Sequence, residues 1–449
     1  MSNPLQRFPR LNNAFVNTRH KVKHWLERRD RDVSYDATVG DPRNVLFVVV
    51  DCLRADHVSA FGHDRSTTPT LDAFDGAAFS HAVAPSPWTF PSVPSLLSGR
   101  YPHEHGGRFE TEYRDLSSEQ FPARPTASVP TIPELLESAG YDTAMLTAIP
   151  MAAKATGDRF QTVDMRYTPA ADQVSRALDW VDGRDRWFLH LHLGDPHAPL
   201  DVPADHRETF DVPDVEGLED WRFREEASGE GFEAYADARR RAYDASVRGA
   251  DDELARLLDA VPDDTVVVVC GDHGEAFWEH PSLERRLNDD PRGFYATDHG
   301  HSVLEEVARV PLWVDAPTLP SGTSDERVSL VDVVPTVLDA LDVADAPATT
   351  GAELGAPDPS RPVLCEETAY GYDQRAVWVD DAKLVVVPGL DEAVWFDLSA
   401  DPGESDPRED VPEDLRAALD SVDAGVYGEE TMDVDDATRD RLSELGYLE

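Results

Sequence analysis

Two short apolar runs in this chain are each cut off by charge. Val45-Leu46-Phe47-Val48-Val49-Val50 runs into Asp51, and Val266-Val267-Val268-Val269-Cys270-Gly271 runs into Asp272-His273-Gly274-Glu275. Uninterrupted apolar runs of this length suit strands covered on both faces, as in a parallel sheet, rather than strands with one wet face. Trp187-Phe188-Leu189-His190-Leu191-His192-Leu193 reads as another such strand, ending at Gly194-Asp195-Pro196-His197. Residues 131–140 carry a helix signature, with Thr131 as cap, Glu134 three residues on and a closing glycine. Residues 141–147 read as the strand after it, and 234–261 as a long helix leading to the Asp272 strand. Such alternation from Asn44 onward predicts an α/β fold with a mixed or mostly parallel sheet and helices on both faces.

Ligands of parallel sheets sit beyond the carboxyl ends of the strands. Asp51, Asp272 and His273 delivered there form a ligand set for a hard cation or a zinc-type ion. Between the two strand ends lies a hydroxyl-bearing segment, Ser86-Pro87-Trp88-Thr89-Phe90-Pro91-Ser92-Val93-Pro94-Ser95-Leu96-Leu97-Ser98-Gly99-Arg100-Tyr101-Pro102. Pro91 falls where the first turn of a helix tolerates proline. A hydroxyl at a helix start meets the positive end of the dipole, which suits an attacking alkoxide and a bound oxyanion. The plainer alternative is that Thr89 caps that helix.

With these residues in view, the chain resembles the sulfatase branch of the alkaline-phosphatase superfamily. The resemblance runs through Asp51-Cys52-Leu53-Arg54-Ala55-Asp56, Thr67-Thr68-Pro69-Thr70-Leu71-Asp72, Leu96-Leu97-Ser98-Gly99-Arg100-Tyr101-Pro102 and Asp272-His273-Gly274-Glu275. It continues through His299-Gly300, Glu305-Glu306, Val310-Pro311-Leu312, Asp332-Val333-Val334-Pro335-Thr336 and Trp395-Phe396-Asp397-Leu398. It implies an alkaline-phosphatase-like central sheet and a small C-terminal antiparallel sheet, to which Arg375-Ala376-Val377-Trp378-Val379, Lys383-Leu384-Val385-Val386-Val387 and Ala393-Val394-Trp395-Phe396 are similar. The expected division is a basic N-terminal helical extension over 1–41, a catalytic domain over 42–350 and a C-terminal subdomain over 351–449. Proline- and aspartate-rich sequence at 344–362 marks the second boundary.

The resemblance also assigns roles. Thr89 takes the nucleophile position, and His197 and His299 match family histidines that meet the bound anion or the leaving oxygen. With Asp195 these two histidines could instead form a second metal site, as in two-metal phosphatases of the superfamily. Arg54 and Arg65 are candidate anion contacts with equally good roles as salt-bridge partners; His105 and His280 read as packing or as support for ligands. The family's Cys-x-Pro-Ser-Arg is here Thr89-Phe90-Pro91-Ser92-Val93, so no formylglycine is expected. A sulfated threonine lacks the second hydroxyl by which the hydrated aldehyde expels sulfate, whereas a phosphorylated threonine is open to water at phosphorus. Cys52 stands where the family often has a second acid, either as a soft ligand or as a buried strand-end cysteine. A divalent ion is implied, calcium, manganese or zinc, with calcium weakened by the missing acid. The expected function is hydrolysis of sulfate or phosphate esters, phosphoester or phosphonate ester being favoured. A transferase of a phosphoryl-linked group and a catalytically silent binding protein are the alternatives.

The 449 residues carry 88 acidic against 41 basic side chains, a net charge of -47. Lys21, Lys23, Lys154 and Lys383 are the only lysines. A hydrophobic fraction of 41% excludes disorder as the natural reading of that charge. Spread acid on a folded chain points to molar salt as the working medium, and it excludes nucleic acid as a partner. The substrate expected is an anionic ester, small or linked to a glycan or lipid. Cys52, Cys270 and Cys365, odd in number and widely spaced, argue against a disulfide framework. With no apolar leader at Met1-Ser2-Asn3-Pro4, the expected location is cytoplasmic. The basic stretch with Phe8, Leu11, Phe15, Val22, Trp25 and Leu26 on one helical face could contact a membrane surface; packing against its own acidic domain is the favoured reading.

Salt adaptation is directly measurable. The thermal unfolding midpoint is expected to rise with potassium chloride into the molar range, because screening relieves self-repulsion. A midpoint already maximal in dilute buffer would assign the acid to a binding surface.

Overall fold

The computed structural model of the protein describes Arg28 and residues 35–421, apart from 117–119, 201, 219–227, 357 and 359. Most of the predicted N-terminal helix and the tail at 436–449 lie outside the described residues. Within them Arg28 pairs with Glu137, and Thr38–Val39 pairs antiparallel with Val343–Ala344. No described helix is long and apolar enough to cross a membrane.

An eight-stranded sheet forms the frame. In chain order its strands are β1 (Val45–Val50), β2 (Ala77–Val83), β3 (Asp142–Thr147), β4 (Thr162–Met165), β5 (Trp187–Leu193), β6 (Val266–Gly271), β7 (Arg309–Asp315) and β8 (Gly322–Ser329). Across the sheet they lie in the order β8-β2-β7-β6-β1-β5-β3-β4. Only β7 runs against its neighbours; every other pairing is parallel. The fold is thus the mixed, mostly parallel α/β sheet expected. The Val310-Pro311-Leu312 run gave no strand signal, because proline cannot donate to a ladder. The register against β2 shifts between Val310 and Leu312, so Pro311 is absorbed by a bulge.

The apolar runs are explained by cover on both sides. Val45, Phe47 and Val49 pack with Phe90, Val93, Leu96 and Leu97 of α1 (Thr89–Ser98). Leu46, Val48 and Val50 face the other way, against Val174 and Ala177 of α2 (Ala170–Val181) and Tyr243, Ala250 and Leu254 of α3 (Phe232–Leu258). The helix predicted at 131–140 is present as Ile132–Ser138, and Thr131 and Glu134 form the capping box.

Beyond α4 (Val333–Ala340), β9 (Val363–Cys365), β10 (Arg375–Val379), β11 (Ala382–Val387) and β12 (Glu392–Asp397) form the small antiparallel sheet. It shares a core with the larger body, since Trp378, Val394 and Phe396 pack with Val83, Leu287, Val303 and Leu304. Lys383 lies inside that core, fully buried, 2.6 Å from Glu404 Oε1 and 4.5 Å from the Trp378 ring centre.

Glu366 ties the small sheet to the turn after α1. Its Oε1 accepts from His103 Nδ1 at 2.6 Å and from the His103 backbone N–H at 2.9 Å, while Oε2 meets Arg375 at 2.9 Å. Burial alone would raise its pKa, but His103 and Arg375 outweigh burial and hold it down at about 2. A lowered folded-state pKa means stabilisation fully present above the ordinary value near 4.5 and lost as pH falls toward about 2. Glu366→Gln is therefore expected to cost roughly 3 kcal/mol at pH 7 and progressively less through that acid window, as read from urea unfolding at stepped pH.

Candidate metal and nucleophile site

Register brings the two charged strand ends together. Val50 pairs with Gly271 on one side and Leu193 on the other, so Asp51 and Asp272 leave the sheet side by side. Both are fully buried. After Asp51 the chain turns through Cys52 in the left-handed region, at φ 58°. Tyr243 from α3 staples that turn: its hydroxyl donates to the Cys52 carbonyl at 2.6 Å and accepts from Arg54 N–H at 3.0 Å. After Asp272 the chain needs Gly274, where a Cβ would stand 2.1 Å from the Glu306 carbonyl oxygen.

Thr89 is the first residue of α1, and Trp88 occupies the cap position. The Thr89 hydroxyl lies 3.3 Å from Asp51 Oδ1 and 3.2 Å from His273 Nε2. It therefore addresses the strand ends, which the cap alternative does not explain. Ser92, one turn on, donates to the Asp272 carbonyl at 2.6 Å and ties the helix to the second strand end. The loop before Thr89 is held from the C-terminal part: Trp88 Nε1 and Ser86 Oγ donate to the Glu367 carbonyl at 2.7 and 3.2 Å. Gly300 N–H donates to the Pro87 carbonyl at 3.0 Å, and the Gly300 carbonyl accepts from Ala369 N–H at 2.6 Å.

The side chains converge on a point where two buried carboxylates meet. His273 Nδ1 is 2.9 Å from the Gly274 carbonyl. A carbonyl only accepts, so Nδ1 carries a proton, and Nε2, 3.3 Å from Asp51 Oδ1 and 3.7 Å from Asp272 Oδ2, is the nitrogen that would face an ion. Asp51 Oδ2 and Asp272 Oδ2 are buried without a hydrogen-bond partner. Burial and then the Asp51 charge push the Asp272 pKa up against the pull of His273. Burial also opposes the charge on Asp51, but His192 and His273 outweigh it and hold its pKa well below the usual range. Orphaned carboxylate oxygens beside an imidazole nitrogen are a donor set that fits a divalent ion.

His299 and His197 lie beside this centre. The His299 ring is 4.4 Å from that of His273 and 5.2 Å from that of His197, centre to centre. Burial works against a charged His299, but Asp298 (3.1 Å) and Glu275 (3.4 Å) prevail and raise its pKa well above the ordinary value. Cys52 Sγ is 3.7 Å from His299 Nδ1. Burial and the charges of Asp51 and Glu275 push its thiol well up. Other groups close enough to hold an ion include Cys52 with His273 and His299, Glu275 with Asp298 and His299, and Asp51 with Cys52 and His197 beside this centre, and His57 with His63 and Asp244 away from it.

The other residues singled out in the sequence have these partners. Arg54 is buried against Asp56 and Glu279, each at 2.7 Å, and Arg65 pairs with Asp244. Asp195 Oδ1 accepts from the Ala170 N–H at the start of α2, at 3.0 Å. His105 supports α1: Gly107 N–H donates to its Nδ1, so Nε2 carries the proton toward Ser95 Oγ at 3.0 Å, and burial lowers its pKa to about 3. His280 lies 3.7 Å from Glu306. Sequence reasoning missed His192, whose Nε2 is 3.7 Å from both Asp51 Oδ1 and Asp272 Oδ2. The available signal was its position: a histidine inside an apolar strand, one residue before the end.

Comparison with known proteins agrees with this frame. The family profile described as Sulfatase matches residues 43–343. The choline-sulfatase of Rhizobium meliloti is 23% identical over 484 aligned residues, covering 87% of this chain and 89% of that protein. The N-acetylglucosamine-6-O-sulfatase of Bacteroides thetaiotaomicron is 22% identical, covering 80% and 81%. Among solved structures, BT4656 in complex with its substrate D-glucosamine-2-N,6-O-disulfate superposes with a TM-score of 0.66 at 19% identity, over 82% of this chain and 93% of that one. The phosphonate monoester hydrolase of Agrobacterium radiobacter gives 0.64 at 17% identity, over 84% and 94%.

The carboxylate pair has a testable cost. In excess chelator Asp272→Asn is expected to be more stable than the parent by roughly 1 to 2 kcal/mol, because it removes a buried like charge. With manganese or zinc restored the order is expected to reverse, the parent gaining a midpoint that the variant cannot. Equal midpoints in all four conditions would show that the two carboxylates do not hold an ion.

Proposed function

Because this chain belongs to the sulfatase family, a family of sulfuric-ester hydrolases, we propose that it is a metal-dependent ester hydrolase acting through a covalent intermediate on Thr89 and preferring phosphate or phosphonate esters. The observation that carries the reading is the Thr89 hydroxyl at a helix start, 3.2–3.3 Å from His273 and Asp51. Asp51, Asp272 and His273 are the residues that would hold the divalent ion. When bound, the ion supplies acidity to the hydroxyl and neutralises the anionic ester.

The residues of the chain account for the rest. Thr89 Oγ1 attacks phosphorus as the alkoxide, and the bond to the alcohol oxygen breaks as the new bond forms. His299, kept protonated by Asp298 and Glu275, gives its proton to that leaving oxygen. Water then attacks the phosphothreonine and returns a proton to His299, and Thr89 is released as it began. His197, beside His299, holds the anionic oxygens. Sulfate is disfavoured because Thr89 offers no second hydroxyl from which to expel it. The fold carries phosphonate monoester hydrolysis in the Agrobacterium protein, so the frame itself is open to phosphorus esters. Three free, buried cysteines, Cys52, Cys270 and Cys365, support a reducing cytoplasmic setting.

Chromogenic sulfate esters, phosphate mono- and diesters and phosphonate esters, assayed in molar potassium chloride with manganese, zinc or calcium, test the proposal. A phosphorus ester is expected to be turned over fastest, and Thr89→Ala is expected to lose at least ~10³-fold in kcat. Sulfate esters outrunning every phosphorus ester would overturn the preference, full activity in Thr89→Ala the covalent route, and inactivity throughout the enzyme itself.

A further inference from the structure

We infer that His192 is a fourth ligand of the ion proposed at Asp51, Asp272 and His273, making the centre a two-oxygen, two-nitrogen site for a borderline transition metal rather than for calcium. The inference rests on the reading of those three residues as ion-holding groups.

Register puts His192 in place. It pairs with Val49 of β1 and Thr147 of β3, and Val49 pairs with Cys270 of β6. Side chains two residues apart share a face of a sheet. Asp51 and Asp272 therefore stand on the face of His192, one layer further along, and that face is covered by α1 with Thr89 at its start.

The separations are close to those of ligands around one ion, one within the tetrahedral range and three about 0.1 Å beyond it. His192 Nε2 lies 3.7 Å from Asp51 Oδ1 and 3.7 Å from Asp272 Oδ2, and His273 Nε2 lies 3.3 and 3.7 Å from the same oxygens. Ligand atoms about 2.0–2.2 Å from a tetrahedral ion are about 3.3–3.6 Å apart. The rival arrangement is an imidazolium bridging two carboxylates by hydrogen bonds. That needs contacts of about 2.7–2.9 Å, and 3.7 Å is too long.

Burial supplies the independent observation. His192 is fully buried, and neither ring nitrogen has a hydrogen-bond partner. A leucine, like those at 189, 191 and 193 of the strand, would fill an apolar layer without the cost of about 1–3 kcal/mol for an unsatisfied polar group. The ring is oriented by packing, edge to face with His190 at 5.8 Å and 80°. Two imidazoles and two carboxylates suit zinc, manganese or a similar ion, whereas calcium selects oxygen.

The test uses the full chain in molar potassium chloride, stripped of metal and dialysed against zinc, manganese or calcium alone. Bound ion is measured by mass spectrometry, and ligand geometry by the visible bands of the cobalt(II)-loaded protein. The parent is expected to hold one zinc or manganese per chain in preference to calcium. His192→Leu, which fits the apolar strand, and His192→Asn are each expected to weaken zinc binding at least ~100-fold and to shift the cobalt bands, with circular dichroism checking that at least one folds. Asp272→Asn separates the two readings. If it loses zinc while folded His192 variants keep both zinc and the parent's cobalt spectrum, the role of His192 is overturned and the underlying site stands. If Asp272→Asn binds zinc as the parent does, the site itself falls, and the inference with it. A parent that prefers calcium to zinc also overturns the inference.

Discussion

Two aspartates with no access to water are the constraint on which this structure turns. Asp51 and Asp272 leave neighbouring parallel strands in register, and each is fully buried. Two unit charges about 4 Å apart repel by about 4 kcal/mol even at an effective dielectric of 20. Such a pair persists in a folded chain when one member takes up a proton, the direction in which Asp272 is pushed, or when positive charge is delivered between them. Around it stand the imidazole of His273, the amino end of α1 carrying Thr89, and the ring of His192. The sheet determines where the charges meet, and the meeting of charges determines what the surrounding groups must be.

Holding that meeting point takes several restraints from distant parts of the chain. Cys52 adopts a left-handed backbone, which is unfavourable for a residue with a side chain. Tyr243 bridges that turn with two hydrogen bonds. Ser92 joins α1 to the far strand end, and Gly274 lets the next turn pass against the Glu306 backbone. Each device acts on backbone rather than on the ligating side chains, so the carboxylates and the hydroxyl inherit their positions from turns that are themselves fastened.

The strands that matter most were plain in the sequence because burial on both faces leaves a continuous apolar run. The two aspartates and His273 were plain for the same reason, as charge that ends such a run. Motif order supplied Thr89. What could not be read were features that depend on which strands become neighbours. His192 gains meaning only when β5 is placed beside β1, and nothing in the run from Trp187 to Leu193 states that adjacency. The antiparallel strand β7 was hidden by Pro311, whose cost is met by a bulge. Arg54 and Arg65 drew attention as cations in an acidic chain, yet the structure commits them to Asp56, Glu279 and Asp244. The hold that Glu367 and Ala369 exert on the loop before Thr89 carries no chemical signature, since it acts through backbone carbonyl and amide groups.

That hold bears on the protein's own synthesis. The indole of Trp88, next to Thr89, is fastened to a carbonyl 279 residues later in the chain. At ribosomal speeds of about 5–20 residues per second, the loop before Thr89 waits some tens of seconds for its anchor. The β1 strand and the start of α1 leave the ribosome early, while the second carboxylate and then Glu367 follow. A nascent chain therefore carries the Thr89 hydroxyl before the segment that fastens the preceding loop has been made.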